Sequence, residues 1–349
     1  MENRYAELHC HTNFSFLDGA SHPEDLVDRA VELGYRALAV TDHDGFYGAV
    51  RFSKAAREAG LSAVYGVEIG LQQSQDPSHE PQSDPIAQAE GRDRLRLGTR
   101  PRRGRNKRMH GSKPLELSPT DHLVLLAGSP EGYRSLSRLV TTAQFRGEKD
   151  RPVYLWEDLV ELAKTPDVVA LSGCHRGEVP GAAARGDLAA AMSAAIRLRE
   201  LFGSRFHLEL WHHGMPEDDP RNDLMWEVAG RLNLPTVATN NVHYHQPSEA
   251  DLSEVLAAID GRRSLDRADG FRPATDERHL KSPAEMAVRF RRYNKPQAQG
   301  PQAQGPVEAA ARLGKDLTFD LRLIAPQLPD FPMPGHFRNE MEYLRHLTW

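Results

Sequence analysis

The residues able to do chemistry fall in short clusters. His9-Cys10-His11 comes first, and Asp18 follows in the next loop. Further along lie Thr41-Asp42-His43-Asp44, Glu68, His122, Cys174-His175 and Asn241-Val242-His243. On an extended strand, residues i and i+2 share a face. His9 and His11 can therefore converge on one cation while Cys10 points away. Histidines mixed with carboxylates suit Zn²⁺, Mn²⁺ or Fe²⁺, whereas Mg²⁺ and Ca²⁺ prefer shells built wholly of oxygen. A lone strand histidine is usually a satisfied core or surface residue. A His-x-His, an Asp-His, a Glu and an Asn-x-His at the ends of separate segments are not explained that way. The set predicts a metal site.

The elements that must position these residues alternate between strand and helix. Strands are predicted over Ala6 to Thr12, Arg36 to Thr41, Ser62 to Leu71, from His122 onward, Val168 to Cys174, Phe206 to Trp211 and Thr236 to Tyr244. Helices are predicted over Pro23 to Leu33, Ala49 to Ala59, Glu131 to Thr142, Trp156 to Lys164, Leu188 to Phe202, Pro220 to Leu232, Glu249 to Ile259 and Pro283 to Arg292. Seven strands alternating with helices predict a parallel α/β barrel or a doubly wound sheet. The polar clusters then sit at the C-terminal strand ends, where α/β barrels build their sites.

Two stretches break the pattern. Gln72 to Ser118 is rich in Gln, Ser, Pro, Gly and Arg, lacks apolar periodicity and reads as a disordered insertion. Pro296 to Pro306 carries a tandem Pro-Gln-Ala-Gln-Gly repeat and reads as a linker. The expected organisation is a barrel over 1–71 and 119–295, the insertion 72–118, the linker 296–306, and an incomplete further unit over 307–349.

Composition narrows the class. At 349 residues and 39% hydrophobic content the chain can bury a sizeable core. Nothing approaches the ~18 apolar residues of a membrane span, and no secretory signal is predicted. Two cysteines, Cys10 and Cys174, are too few for a disulfide framework and fit a reducing cytoplasm. The net charge of −5 hides an asymmetry. Arg92 to Lys113 holds ten Lys/Arg against one acid, Asp93, a local +9; the remaining 34 basic and 48 acidic residues leave −14. An acidic body with one basic insert is unlike a protein that coats nucleic acid uniformly.

Taken together, His9-Cys10-His11-Thr12, Phe16-Leu17-Asp18-Gly19, Ala39-Val40-Thr41-Asp42-His43, Gly66-Val67-Glu68, Leu171-Ser172-Gly173-Cys174 and Ala238-Thr239-Asn240-Asn241-Val242-His243-Tyr244 resemble the polymerase and histidinol phosphatase (PHP) superfamily over residues 5 to about 260. The resemblance implies a distorted (β/α)7 barrel with two or three divalent ions of Zn, Mn or Fe. By motif the family's ligand positions fall on His9, His11, Asp18, His43, Glu68, His122, Cys174, Asn241 and His243. The family usually has Asp where this chain has Asn241, whose neutral amide is a weaker ligand. Asp18 and His43 are also the candidates to orient water or leaving group.

The subfamily resemblance is to the bacterial C-family DNA polymerase III alpha subunits, in their error-prone, translesion branch. It rests on Phe14 to Ala20, Glu209 to Gly214, Thr239 to Tyr244, Leu317 to Leu321 and Ile324 to Pro334. It implies a front-end domain supporting DNA synthesis, with 3′–5′ exonuclease chemistry, DNA primer-template and polymerase accessory proteins as partners, and the polymerase carboxylates beyond Trp349. A metal-bound scaffold without turnover and a stand-alone phosphatase of the histidinol-phosphatase type are the alternatives. His212 and His213 read as solvent-exposed loop residues, and Glu209 is assigned to neither the barrel interior nor a helix contact. The basic insert reads as solvated chain rather than a DNA grip. No Gly-rich phosphate loop is present, so no ATP site is expected.

Overall fold

The computed structural model describes residues 5–72, 120–149, 151–267, 273–294, 304–324 and 334–349. Residues 73–118 of the expected insertion and 296–303 of the expected linker lie outside these.

Seven strands form one sheet in sequence order: β1 (Ala6–Glu7), β2 (Ala37–Val40), β3 (Ser62–Gln72), β4 (Thr120–Ala127), β5 (Val168–Leu171), β6 (Phe206–Leu210) and β7 (Thr236–Ala238). The sheet nearly closes on itself. Beyond the two edge strands, Cys10 bridges Val242 in parallel; His11 N–H donates to Val242 O at 2.8 Å, and Val242 N–H to His9 O at 2.9 Å. β2 and β5 are apolar and buried at every residue, as expected for strands covered on both faces.

One strand runs against expectation. β1, β2 and β3 are parallel, as are β5, β6 and β7, but β4 is antiparallel to both neighbours. The strand ends account for it. Gln72, the last residue of β3, lies directly opposite Thr120, the first of β4. A chain that re-enters a sheet beside the point where it left pairs antiparallel, whereas parallel pairing requires it to cross back to the opposite end first. The reversal has a functional consequence. His122, near the start of β4, pairs with Gly70 near the end of β3. It therefore lies at the rim where the parallel strands finish.

The helices pack outside by burying one face. α1 (Pro23–Glu32) buries Pro23, Leu26, Val27 and Ala30, and α2 (Ala49–Ala59) buries Ala49, Phe52 and Ala56. Both follow the 3.6-residue stripe, and burial of a side chain such as Phe52 contributes roughly 2 kcal/mol. α3 (Pro130–Arg146) is capped by Ser129, whose hydroxyl oxygen accepts from Gly132 N–H. α4 (Trp156–Leu162), α5 (Glu178–Ala184), α6 (Leu188–Phe202), α7 (Asp218–Leu232), α8 (Ala250–Asp260) and α9 (Pro283–Arg289) continue the chain. No helix among the described residues is long and apolar enough to cross a membrane.

The segment 307–349, expected as one further unit, divides. α10 (Pro306–Asp316) buries Pro306, Val307, Ala309, Ala310, Ala311 and Gly314 against the barrel. At Gly314 a Cβ would stand 2.7 Å from the Cβ of Ala6 and 3.3 Å from that of Ala37, the first residues of β1 and β2. α10 thus covers the end where these strands begin, and the barrel unit extends past 295. Phe319 continues the contact, its ring centroid 5.3 Å from Tyr65. α11 (Glu340–Thr348) buries nothing.

Candidate metal centre

The centre is assembled where the strands finish. His9 and His11 leave β1 on the same side and are fully buried, with their Nε2 atoms 3.1 Å apart. Each ring is held from behind. His9 Nδ1–H donates to Glu209 Oε1 at 2.7 Å, an oxygen that also accepts from Thr239 Oγ1 at 2.6 Å. His11 Nδ1–H donates to Ser15 Oγ at 3.0 Å, and the Ser15 hydroxyl donates to Asp42 Oδ1 at 2.7 Å. With both Nδ1 atoms protonated, a neutral ring carries a lone pair on Nε2. Two lone pairs then face one another, an arrangement stable only around a cation or a proton. Carboxylate-backed histidines of this kind are how proteins orient metal ligands.

Glu68, on β3, lies among four histidines. Its Oε1 is 3.0 Å from His122 Nδ1 and 3.6 Å from His9 Nε2; its Oε2 is 3.2 Å from His43 Nδ1 and 3.4 Å from His11 Nε2. Burial pulls its pKa up, but His122, His9 and His43 hold it well below the ordinary carboxylate range. Asp18 Oδ2 stands 2.9 Å from His43 Nε2 and 3.9 Å from His243 Nε2, and these histidines keep it ionised against the effect of burial. The His11 ring stacks between His43 and His243, with centroids at 4.4 and 4.7 Å. Cys174 Sγ is 3.4 Å from His122 Nδ1. Burial pushes its thiol pKa well up. Gly173 (φ +81°) permits that approach, since a Cβ there would sit 2.4 Å from His122 O.

Among the described residues, three donor sets have ligand atoms within 4.8 Å of one another: His9–His11–Glu68, His11–Asp18–His43 and His43–Glu68–His122. They share members and form one centre. The donors fit divalent ions on a further ground. Glu68 Oε1, Asn241 Oδ1 and both ring nitrogens of His243 are buried without a hydrogen-bond partner. Orphaned buried polar atoms are rare and call for an explanation such as an ion. Charge points the same way. Burial alone would depress His9 and His43, yet Glu209 and Glu68 raise His9 well above its usual value, and Glu68 and Asp18 carry His43 up to about 9. The pocket attracts positive charge.

Eight of the nine residues singled out from the sequence meet here through these contacts. Asn241 is buried two residues before His243, with φ at 43°. His175 is exposed, so Cys174 is the member of that pair turned to His122.

Sequence reasoning left out the residues behind the ligands. Glu209 is fully buried. An acid between Leu208 and Leu210 in an apolar strand was the available signal. Glu7, also fully buried, accepts from Tyr5 Oη, His9 N–H and Asn240 N–H at 2.7–3.0 Å, and burial pushes it up to about 7. Asp42 accepts from Thr12 N–H and Thr12 Oγ1 at 2.7 and 2.8 Å. His213 corrects the exposed-loop expectation. It is buried, its Nε2–H donates to Asn240 O at 2.8 Å and its backbone N–H to Asp218 Oδ2 at 2.8 Å.

Three non-glycine residues at the centre adopt left-handed φ: Leu17 at 66°, Asp44 at 54° and Asn241 at 43°. Asn and Asp tolerate this region; Leu does not, at about 1–3 kcal/mol. Each adjoins a residue of the centre or belongs to it. The Leu17 turn is fixed by Asp18 and Gly19 N–H groups donating to Ser15 O at 3.0 and 2.9 Å. Gly19 could not carry a side chain, because a Cβ would meet Thr12 O at 2.0 Å.

The model of the PHP domain matches residues 7–213. The chain belongs to the PHP domain family. Its nearly closed seven-stranded barrel is the distorted PHP barrel that the motifs implied. Over 99% of its length the chain is 41% identical to the error-prone DNA polymerase of Nocardia farcinica, covering 30% of that protein. The same identity and coverage of the chain hold for the error-prone DNA polymerase of Mycobacterium tuberculosis H37Rv, covering 27% of it. The DNA polymerase III subunit alpha of Thermus aquaticus is 33% identical, with 25% of its length covered. The chain thus spans between a quarter and a third of the length of these relatives.

Proposed function

We propose that this PHP domain serves an error-prone DNA polymerase of the C family, holds two or three Zn, Mn or Fe ions, and hydrolyses phosphodiesters at DNA 3′ ends. The observation that carries the metal reading is the facing pair of Nε2 lone pairs on His9 and His11, 3.1 Å apart beside the orphaned Glu68 Oε1. His9, His11, Asp18, His43, Glu68, His122, Cys174, Asn241 and His243 would hold the ions. Bound divalent ions lower the pKa of water to near neutrality and offset the charge developing on phosphate oxygens.

The chain's own residues divide the remaining work. His9 and His11 are sealed from solvent and serve as fixed ligands. Asp18 and His43 reach it, with side chains 39% and 30% exposed. They are where a phosphodiester meets the centre, and they orient its oxygens and the attacking water. Glu209, Ser15 and Asp42 keep the His9 and His11 rings turned inward. Polymerisation itself, in the cytoplasm on primer-template DNA with accessory proteins, would use carboxylates from the part of the relatives' length that this chain does not span.

A second reading has one observation in its favour. Asn241 supplies a neutral amide, so the centre carries one negative charge fewer and could brace a polymerase as a metal-bound scaffold without turnover. A stand-alone phosphatase has less support, since the similarity to error-prone DNA polymerases runs through 99% of the chain.

The test compares a primer-template bearing a mismatched 3′ end with histidinol phosphate, using metal-loaded protein and a His9→Ala/His11→Ala control. Metal-dependent shortening of the primer, absent in the control, is expected. Phosphate release from histidinol phosphate without primer shortening would overturn the proposal. Full metal content with neither activity would establish the scaffold.

A further inference from the structure

Two aromatic rings stand in solvent on the loops that carry the outer ligands. Phe16 is 83% exposed and Tyr47 is 64% exposed. Phe16 lies between Ser15, whose Oγ accepts from His11 Nδ1–H at 3.0 Å, and Asp18, whose Oδ2 is 2.9 Å from His43 Nε2. Tyr47 follows His43 by four residues. Its ring covers Gly45 so closely that a Cβ there would sit 2.3 Å from Cε2.

Single exposed apolar side chains are ordinary and need no explanation. These two differ in how they are held. Each belongs to a loop bearing a ligand, and each loop contains a left-handed non-glycine residue, Leu17 or Asp44. In the first loop the Ser15–Gly19 turn places Asp18 at the centre and leaves the Phe16 ring in water. In the second, Gln144 Nε2 donates to Asp44 O at 3.1 Å and fixes the bend after His43. Strained backbone of this kind persists where the surrounding structure enforces it, and it concentrates at ligand clamps.

Flat, solvent-facing rings beside a phosphodiester centre match one chemistry. Unpaired nucleobases stack on aromatic side chains irrespective of sequence, since every base has a π face. We propose that Phe16 and Tyr47 are stacking positions for the unpaired bases adjoining the phosphodiester, which makes single-stranded or frayed DNA ends the substrate class rather than small phosphate esters. This rests on the phosphodiester reading above.

The experiment uses the full chain and an oligonucleotide with 2-aminopurine at its last two 3′ positions, first without added divalent metal so that nothing is cleaved. Wild-type protein should bind it with quenching of the 2-aminopurine fluorescence. A Phe16→Ala/Tyr47→Ala variant should lose the quenching and bind at least about 30-fold more weakly, while Phe16→Trp/Tyr47→Phe keeps both. An oligonucleotide abasic at those positions should bind wild type and the alanine variant alike. With metal present, the alanine variant should raise KM for the base-bearing substrate more than it lowers kcat. Unchanged quenching and affinity in the alanine variant would overturn the inference, as would an equal loss on the abasic strand. A chain that binds with quenching but cleaves nothing would sink the hydrolytic reading while leaving the stacking assignment intact.

Discussion

His9 and His11 point their Nε2 atoms at each other across 3.1 Å, and each has its Nδ1–H engaged behind it, by Glu209 and Ser15 respectively. The relationship makes Glu209 a positioning residue for a ligand. Replacing it by Gln keeps the shape and removes the charge that fixes the His9 tautomer. Glu209→Gln should lower metal affinity by about 10- to 100-fold, with the folded circular dichroism spectrum retained. Competition with a chromogenic chelator measures this. An affinity equal to that of the wild type would show that His9 is oriented by its peptide packing alone.

The pairing also shows how far the sequence could be read. His9 and His11 were legible because strand periodicity puts alternate residues on one face. Glu209 was not, because its role depends on β6 lying beside β7, which the Cys10–Val242 bridge joins to the end of the β1 segment. His122 was placed at the right rim, yet the direction of its strand was missed. Period-2 side-chain alternation is the same in parallel and antiparallel strands, so the apolar run after His122 carries no mark of its direction, which only the register with β3 reveals. α10 escaped notice because it starts immediately after the Pro-Gln-Ala-Gln-Gly repeat and buries a face made mainly of Ala and Gly; Pro306 at its first turn was a usable start signal. His213 looked like loop surface because burial by Asn240 and Asp218 is a tertiary property.

Asn241 offers a test of how charge sets occupancy. Its Oδ1 is buried and unpartnered, and its φ of 43° suits Asp as well as Asn. Asn241→Asp adds an oxygen ligand with a full negative charge. Without metal that charge is buried and uncompensated, so the apo protein should lose about 1–3 kcal/mol. With metal the same charge is neutralised. Thermal unfolding in chelator and in Mn²⁺ should therefore show a lower apo midpoint and a larger metal-induced rise than in the wild type. Equal midpoints in both conditions would place residue 241 outside the ion's reach.

The β3–β4 register leads to the last prediction. The two strands pair continuously from Tyr65 opposite Ala127 to Gln72 opposite Thr120. The chain thus leaves and re-enters the barrel at adjacent points, whatever lies between. An Asn-Gly dipeptide is the preferred two-residue link for such a pair. Replacing residues 73–119 by Asn-Gly should preserve solubility, the barrel and the metal content. Closing a shorter loop loses less chain entropy, so urea unfolding should show stability equal to the parent or higher by about 1–3 kcal/mol. The replacement also removes the +9 segment Arg92 to Lys113. If that segment grips phosphates, the slope of DNA affinity against salt should flatten in the shortened protein; if it is only solvated chain, the slope should not change. Aggregation, or loss of bound metal, would instead show that 73–119 supports His122 and the β4 strand, and that the barrel cannot close its rim without it.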